Sequence, residues 1–273
     1  MSKATLLIDG DIVLFQIGRV TEDITDFGDE QMESYDMESA LRLLESELDN
    51  IAKKTGFPRE HMVFCLSSDS NFRKTFFPTY KGNRKHVRKP LGLKALREHC
   101  FEHKEKYETL FFPNCEADDV MGYFGSIDPD NIHIYSQDKD MYTIPCNQWD
   151  FKKNKFIRPT EIQSLRFLYE QVLTGDAVDG YKGLPRYGKI KSKRVVVPCN
   201  TELELLEAVH KLYFKRYKDK AKEMLLEQIG QARILHADDY IRLINDMGTY
   251  NPYKLLGVTD EMLQMWEEDG DTK

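Results

Sequence analysis

Residues 4–11 read Ala-Thr-Leu-Leu-Ile-Asp-Gly-Asp: an apolar run of one strand's length that stops on acids. The figure returns along the chain. Met62–Leu66 runs into Ser67-Ser68-Asp69, and Ile132–Tyr135 runs into Ser136-Gln137-Asp138-Lys139-Asp140. Thr109–Phe112 is a weaker run, followed by the helix Glu116–Phe124, which opens on Glu116, Asp118 and Asp119. Short continuous apolar runs are strands buried on both faces. Helices separate them: Ile12–Ile17, and Met37–Lys54 with Leu41, Leu44, Leu48 and Ile51 at spacings of three and four before Gly56 and Pro58. Gln148–Phe151 and Lys155–Arg158 flank a turn at Lys152–Asn154, and Thr160 caps a helix to Thr174. Alternating strands and helices predict an α/β fold with a mainly parallel sheet flanked by helices. Beyond residue 174 the texture changes. Gly175–Gly188 is rich in Gly, Asp and Pro, and 201–248 reads as helix after helix. The expected division is an α/β domain at 1–174 and a helical region at 175–273.

With 273 residues, 41% of them apolar, the chain can build a substantial core. No apolar stretch approaches membrane-span length, and the first residues precede no secretory h-region, so the expectation is a cytosolic protein without a membrane partner. Cys65, Cys100, Cys115, Cys146 and Cys199 are scattered and never form a CxxC pair, which speaks against a disulfide framework and a structural zinc site.

The net charge of −7 hides a strong asymmetry. Residues 21–50 hold eleven acids and one base, whereas 71–106 hold eleven bases and three acids, and 182–194 hold six bases and no acid. Phosphate backbones respond to local potential, so both basic segments are candidate nucleic-acid contacts; each alone reads equally as a solvated loop. The acidic stretch reads as solvated surface.

In an open parallel sheet the C-terminal ends of the strands share a rim where ligands bind. Asp9 and Asp11, Asp69, the Glu116–Asp119 group, and Asp138 with Asp140 all fall at such ends, and Asp176 and Asp179 open the helical region. Taken singly, each acid is a turn residue or helix cap. Gathered together they would repel unless neutralised, and an oxygen-only donor set suits Mg²⁺ or Mn²⁺. Two such ions can clamp a phosphodiester for hydrolysis.

The ordered set Ile8-Asp9-Gly10-Asp11, Ser67-Ser68-Asp69, Arg73, Tyr80-Lys81-x-x-Arg84, Glu116-Ala117-Asp118-Asp119, Ser136-Gln137-Asp138-Lys139-Asp140, Thr174-Gly175-Asp176-x-x-Asp179-Gly180 and Gly183-Leu184-Pro185 resembles the 5′-nuclease superfamily. That group holds flap endonucleases and 5′–3′ exonucleases, and the likeness is greatest to the stand-alone exonucleases of tailed phages. It spans residues 5 to about 195. The resemblance implies a PIN-like sheet, a helical arch over the basic stretch 71–106, and a helix–two-turn–helix element after residue 174.

It also implies a two-metal mechanism: Asp9, Asp69, Glu116 and Asp118 around one Mg²⁺ (or Mn²⁺), Asp119 bound directly or through water, and Asp138, Asp140, Asp176 and Asp179 around a second. Asp11 falls outside the family's usual ligands and takes a supporting place. Lys81 and Arg84 would act on the scissile phosphate, with Asp69 and Asp118 among the catalytic acids. Arg73, Lys74, Tyr80, Lys85, Arg88 and Lys89 would add DNA contacts, and Phe76, Phe77 and Tyr80 could stack on bases or pack beneath the loop. Gly183, Gly188, Lys189, Lys191 and Lys193 would grip the duplex, with K⁺ in the turn, although Arg186 stands where the family prefers a small residue. The expected substrate is DNA with a 5′ end, flap or branch, and an RNA–DNA hybrid in primer removal. A single-strand-binding protein or polymerase is an expected partner, monomer the expected state, and the host bacterial cytoplasm the expected location. Two other readings share these features: a branched-DNA-binding protein with a weak active site, and a small-molecule phosphohydrolase, which leaves the bases of 71–106 without a purpose.

Overall fold

The computed structural model describes residues 3–26, 28 and 31–245, and these form two compact units. The first comprises residues up to Asn71 together with His86–Pro159; the second comprises Phe72–Lys85 and the chain from Thr160 onward.

The first unit is built on the six-stranded sheet, with order β5-β4-β1-β6-β7-β8. Its strands are β1 (Thr5–Asp9), β4 (Met62–Cys65), β5 (Thr109–Leu110), β6 (Ile132–Tyr135), β7 (Asn147–Asp150) and β8 (Lys155–Ile157). All neighbours run parallel except β7 and β8, which form the expected hairpin. Central β1 pairs with both β4 and β6, and Leu6, Leu7 and Ile8 have essentially no exposure. Burial of both faces is why the run is apolar without alternation. Leu6 and Ile8 face one core with Leu14 of α1 (Gly10–Thr21), Leu44, Leu48 and Ile51 of α2 (Met37–Thr55) and Leu96 of α4 (Leu93–Glu102). Helix α5 (Ala117–Ile127) packs on β1, β4 and β6. The five cysteines are buried thiols outside any disulfide.

Two elements depart from the sequence reading. The acidic stretch begins with an antiparallel hairpin, β2 (Glu22–Asp26) and β3 (Gln31–Tyr35), rather than bare solvated chain. Glu22 anchors it: its carboxylate accepts from Arg19 at 2.6 Å, Arg88 at 2.5 Å and the Leu91 amide at 3.1 Å. Within the basic stretch, Leu96 and Cys100 turn one face of α4 into the core, so the stretch 71–106 is not a continuous solvated arch.

The second unit is helical: α3 (Phe72–Phe76), α6 (Glu161–Thr174), α7 (Lys189–Val196), α8 (Glu202–Tyr217), α9 (Ala221–Ala232) and α10 (Ala237–Asn245). Its core joins Leu168, Tyr169, Val172 and Leu173 of α6 to Leu205, Val209, Tyr213, Leu225 and Ile229. Helix α6 therefore belongs to this unit by packing, and the division falls at 159/160 rather than 174. Thr160 caps α6 as expected, its hydroxyl accepting from the Gln163 amide. Residues 246–273, part of the expected helical region, lie outside the described residues. Among the described residues no helix is long and apolar enough to cross a membrane.

Candidate active site

In the first unit, the C-terminal edge of the sheet carries a hydrogen-bonded set of acids. Asp9, the last residue of β1, is nearly buried, and its Oδ1 caps α1 by accepting from the Ile12 amide at 3.1 Å. Its Oδ2 accepts from the Ser136 hydroxyl at 2.8 Å. The same Ser136 oxygen accepts from the Asp138 amide at 3.1 Å, and Asp138 Oδ1 accepts from the Asp140 amide at 2.8 Å. One hydroxyl thus joins the exits of β1 and β6. Burial raises the Asp9 carboxyl to about 6 against its hydrogen bonds to Ile12 and Ser136, and the negative charges of Asp11 and Asp138 push the same way.

A second serine organises the exit of β4. The Ser67 amide donates to Asp11 Oδ2 at 2.9 Å, and Ser67 Oγ accepts from the Ala117 amide at 2.9 Å, docking the start of α5. Arg97 of α4 pairs with Asp11 and donates to the Ser67 carbonyl. Asp11 therefore holds the loop that leads to Asp69. At the α5 start, Asp119 Oδ2 accepts from the Glu116 amide at 3.0 Å and is buried, whereas Glu116 and Asp118 are partly exposed and Asp69 is exposed. Among the described residues no three Asp, Glu, His or Cys side chains converge on one ion-sized position. Asp9 accepts from the Ser136 hydroxyl and a backbone amide, Asp138 and Asp119 accept from backbone amides, and Asp11 pairs with Arg97.

The second unit holds the other acidic pair. Asp176 is buried at the end of α6; its Oδ1 accepts from the Val178 amide at 2.7 Å, and its backbone pairs with Tyr181. Asp179 accepts from Arg84 at 2.6 Å and lies 3.9 Å from Lys81 Nζ. Lys81 also places its ammonium 5.0 Å from the Tyr80 ring centroid. The sequence motif Tyr80-Lys81-x-x-Arg84 and the turn after α6 thus meet within one unit.

Several expected DNA contacts take other places. Arg73 is buried, its guanidinium 4.6 Å from the Phe72 ring centroid and its Nη2 2.5 Å from the Arg233 carbonyl oxygen, so it braces the unit's interior. Tyr80 is buried too, and Phe77 packs on Gly230 of α9, where a Cβ would lie 2.3 Å from the ring. Neither offers a face to a base. Arg88 is tied to Glu22. Gly183 is interior and its amide donates to Gln228 Oε1 at 2.7 Å, so it shapes the turn. Its φ is +63° and that of Gly175 is +72°, and the two backbones touch so closely that a Cβ on Gly183 would lie 2.3 Å from Gly175 N. Arg186 adopts φ +70°, a left-handed position that favours glycine. Lys74, Lys89, Lys189, Lys191 and Lys193 are exposed, Gly188 is the exposed N-cap of α7, and Lys85 falls in the helical turn Gly82–His86.

Residues 4–165 match the family described as 5′-3′ exonuclease, N-terminal resolvase-like domain. The chain belongs to the 5′–3′ exonuclease family. The exodeoxyribonuclease of Enterobacteria phage T3 is 32% identical over 68% of this chain and 64% of that protein, so the chain spans a little under two thirds of that relative. The exonuclease of Escherichia phage T7 is 30% identical over 73% of this chain and 69% of its own length. In fold, this exonuclease-family chain is similar to the phage T5 D15 protein co-crystallised with metal ions, with TM-score 0.58, 17% identity, and 96% and 98% of the two chains covered. It is similar also to the T5 D15 flap endonuclease in a pseudo-enzyme–product complex with DNA and metal ions, with TM-score 0.56, 16% identity, and 96% and 99% covered. The mainly parallel sheet flanked by helices is the PIN-like fold of these nucleases.

Proposed function

We propose that this chain is a divalent-metal-dependent 5′–3′ exodeoxyribonuclease with structure-specific 5′-flap endonuclease activity, serving phage DNA replication, primer removal or recombination. The observation that carries the reading is the Ser136 link, which brings Asp9 and the Asp138–Asp140 pair from separate strands to one rim. A carboxyl raised to about 6 by burial beside two further acids is a group that a cation would stabilise. The donor set contains carboxylates without His or Cys and so fits Mg²⁺, with Mn²⁺ able to substitute. The proposed ligands are Asp9, Asp69, Glu116, Asp118, Asp119, Asp138 and Asp140, with Asp176 and Asp179 of the second unit proposed for the same role. When bound, two such ions supply positive charge that stabilises the attacked phosphate and the leaving oxygen.

The chain's own cations complete the reading. Lys81 supplies a point charge and Arg84 a fork for the scissile phosphate. The amides at the α7 N-terminus, behind Gly188 and flanked by Lys189, Lys191 and Lys193, suit the phosphates of the duplex. K⁺ in the Gly183–Gly188 turn is the finer part of the proposal, and Arg186 adds a fixed positive charge to that turn.

The test is cleavage of a 5′-labelled flap and a 5′-labelled blunt duplex, with Mg²⁺ and with EDTA. Short 5′ products that require Mg²⁺ are expected, and Asp138→Asn should slow their release roughly a hundredfold while DNA binding persists. Tight binding with no cleavage of either substrate would replace the reading with a branched-DNA-binding protein.

A further inference from the structure

The basic motif carries a residue between Lys81 and Arg84 that the nuclease reading leaves without work. Asn83 Nδ2 lies 2.7 Å from the Ala177 carbonyl oxygen and 3.2 Å from that of Val178. Both carbonyls belong to the turn that presents Asp179. Other bonds follow the same path: the Lys81 amide donates to the Asp179 carbonyl at 2.9 Å, and Arg84 Nε to the Val178 carbonyl at 3.0 Å. The segment 81–84 therefore grips successive carbonyls of 177–179, within a single compact unit.

The backbone is shaped for this contact. Lys81 sits at φ +51°, a left-handed conformation unfavourable for a residue with a side chain. In that conformation its amide donates to the turn. Gly180, at φ +83°, lies against Asn83: a Cβ there would be 3.3 Å from Asn83 Oδ1. Strained residues persist only where surrounding contacts over-determine them. Asn83 provides side-chain donors for this purpose with little rotamer freedom to lose.

We propose that Asn83 is a positioning residue for cleavage, tying 81–84 to the 177–179 turn so that Lys81 and Arg84 meet the scissile phosphate in a preset geometry beside Asp179. The proposal rests on the nuclease reading above. Asn83 touches neither substrate nor ion in it; its effect passes through the geometry of Lys81 and Asp179. Losing preset geometry costs rate more than affinity, because phosphate attraction survives a displacement that misaligns the reacting atoms.

The experiment compares the full chain with Asn83→Ala, Asn83→Asp and Asn83→Gln in three measurements: single-turnover cleavage of a 5′-flap in Mg²⁺, binding of the same flap in Ca²⁺, and amide exchange of residues 79–85 and 176–181. Asn83→Ala and Asn83→Asp, which lack the donor, should cleave roughly ten- to a hundredfold more slowly with flap affinity within about twofold of the parent. The Lys81 amide should exchange faster in both. Asn83→Gln, which keeps the donor, should recover most of the rate. Parental cleavage by Asn83→Ala would overturn the proposal, and so would a loss of rate matched by an equal loss of binding. If the parent chain itself does not cleave, the nuclease reading fails, and exchange decides the tether: an unchanged Lys81 amide in Asn83→Ala overturns it.

Discussion

Ser136 donates a hydrogen bond to Asp9 and accepts one from the Asp138 amide, so Ser136→Ala breaks two links while leaving every acid in place. Supporting partners of metal ligands typically matter ten- to a hundredfold, and single-turnover cleavage by Ser136→Ala should fall by roughly that factor with the thermal midpoint nearly unchanged. Another residue governs acid stability. Glu45 is partly buried, which alone would raise its carboxyl, but hydrogen bonds from Tyr107, Arg59 and Lys106 prevail and hold it at about 2. A carboxyl depressed in the fold stabilises above its unfolded value, near 4.3, and loses that contribution as pH falls through its folded value. The difference in thermal midpoint between the parent and Glu45→Gln should therefore be constant at neutral pH and shrink between about pH 5 and 2; a constant gap down to pH 2 would contradict the assignment. At this scale the acids were legible, because strand-end Asp and Glu recur in a fixed order along the chain. The serines beside them were not: Ser67 and Ser136 sit in loops where serine is common for its own turn-forming reasons. The spacing Ser136-x-Asp138 was the one available signal. Arg73 and Tyr80 were misread because charge and aromaticity do not reveal that a guanidinium has been folded inward onto rings and a carbonyl.

At the level of elements, the turn between α6 and α7 sets Gly175 and Gly183 back to back, and a Cβ on Gly183 would lie 2.3 Å from Gly175 N. Gly183→Ala adds left-handed strain and sets a methyl against backbone that cannot step aside. The cost should be at least about 2 kcal/mol, read as a lowered midpoint in urea unfolding. A midpoint equal to that of the parent would mean that the turn relaxes freely. The strands β1, β4 and β6 and the helices α2 and α6 were legible, since uninterrupted apolar runs and three–four spacing are strong patterns. The hairpin β2–β3 escaped because its residues are mostly polar, Glu-Asp-Ile-Thr-Asp against Gln-Met-Glu-Ser-Tyr, and pairing is a property of the backbone. Helix α4 escaped because Leu96 and Cys100 were read within a run of bases.

Across the whole molecule, a net charge of −7 coexists with a helix, α7, whose first turns expose Lys189, Lys191 and Lys193. Each phosphate neutralised contributes about 0.9 to the slope of log affinity against log salt. Replacing all three lysines with alanine should weaken duplex binding and flatten that slope by about 3, measured by flap binding in Ca²⁺ from 50 to 200 mM salt. An unchanged slope would remove α7 from the DNA-binding face. Composition could not show which chain segments share a unit, because that is decided by long-range packing. Residues 72–85 lie in sequence inside the α/β half and belong by contacts to the helical one. The chain therefore passes from one unit to the other at 71/72, at 85/86 and again at 159/160. A fragment ending at residue 159 would keep Arg73, Phe77 and Asn83 yet lack Arg233, Gly230 and the Ala177 carbonyl that they hold. The two halves are consequently not interchangeable cassettes: a hybrid that borrows the helical half of a relative must borrow that relative's counterpart of 72–85 with it, and the two stretches are bound to vary in concert.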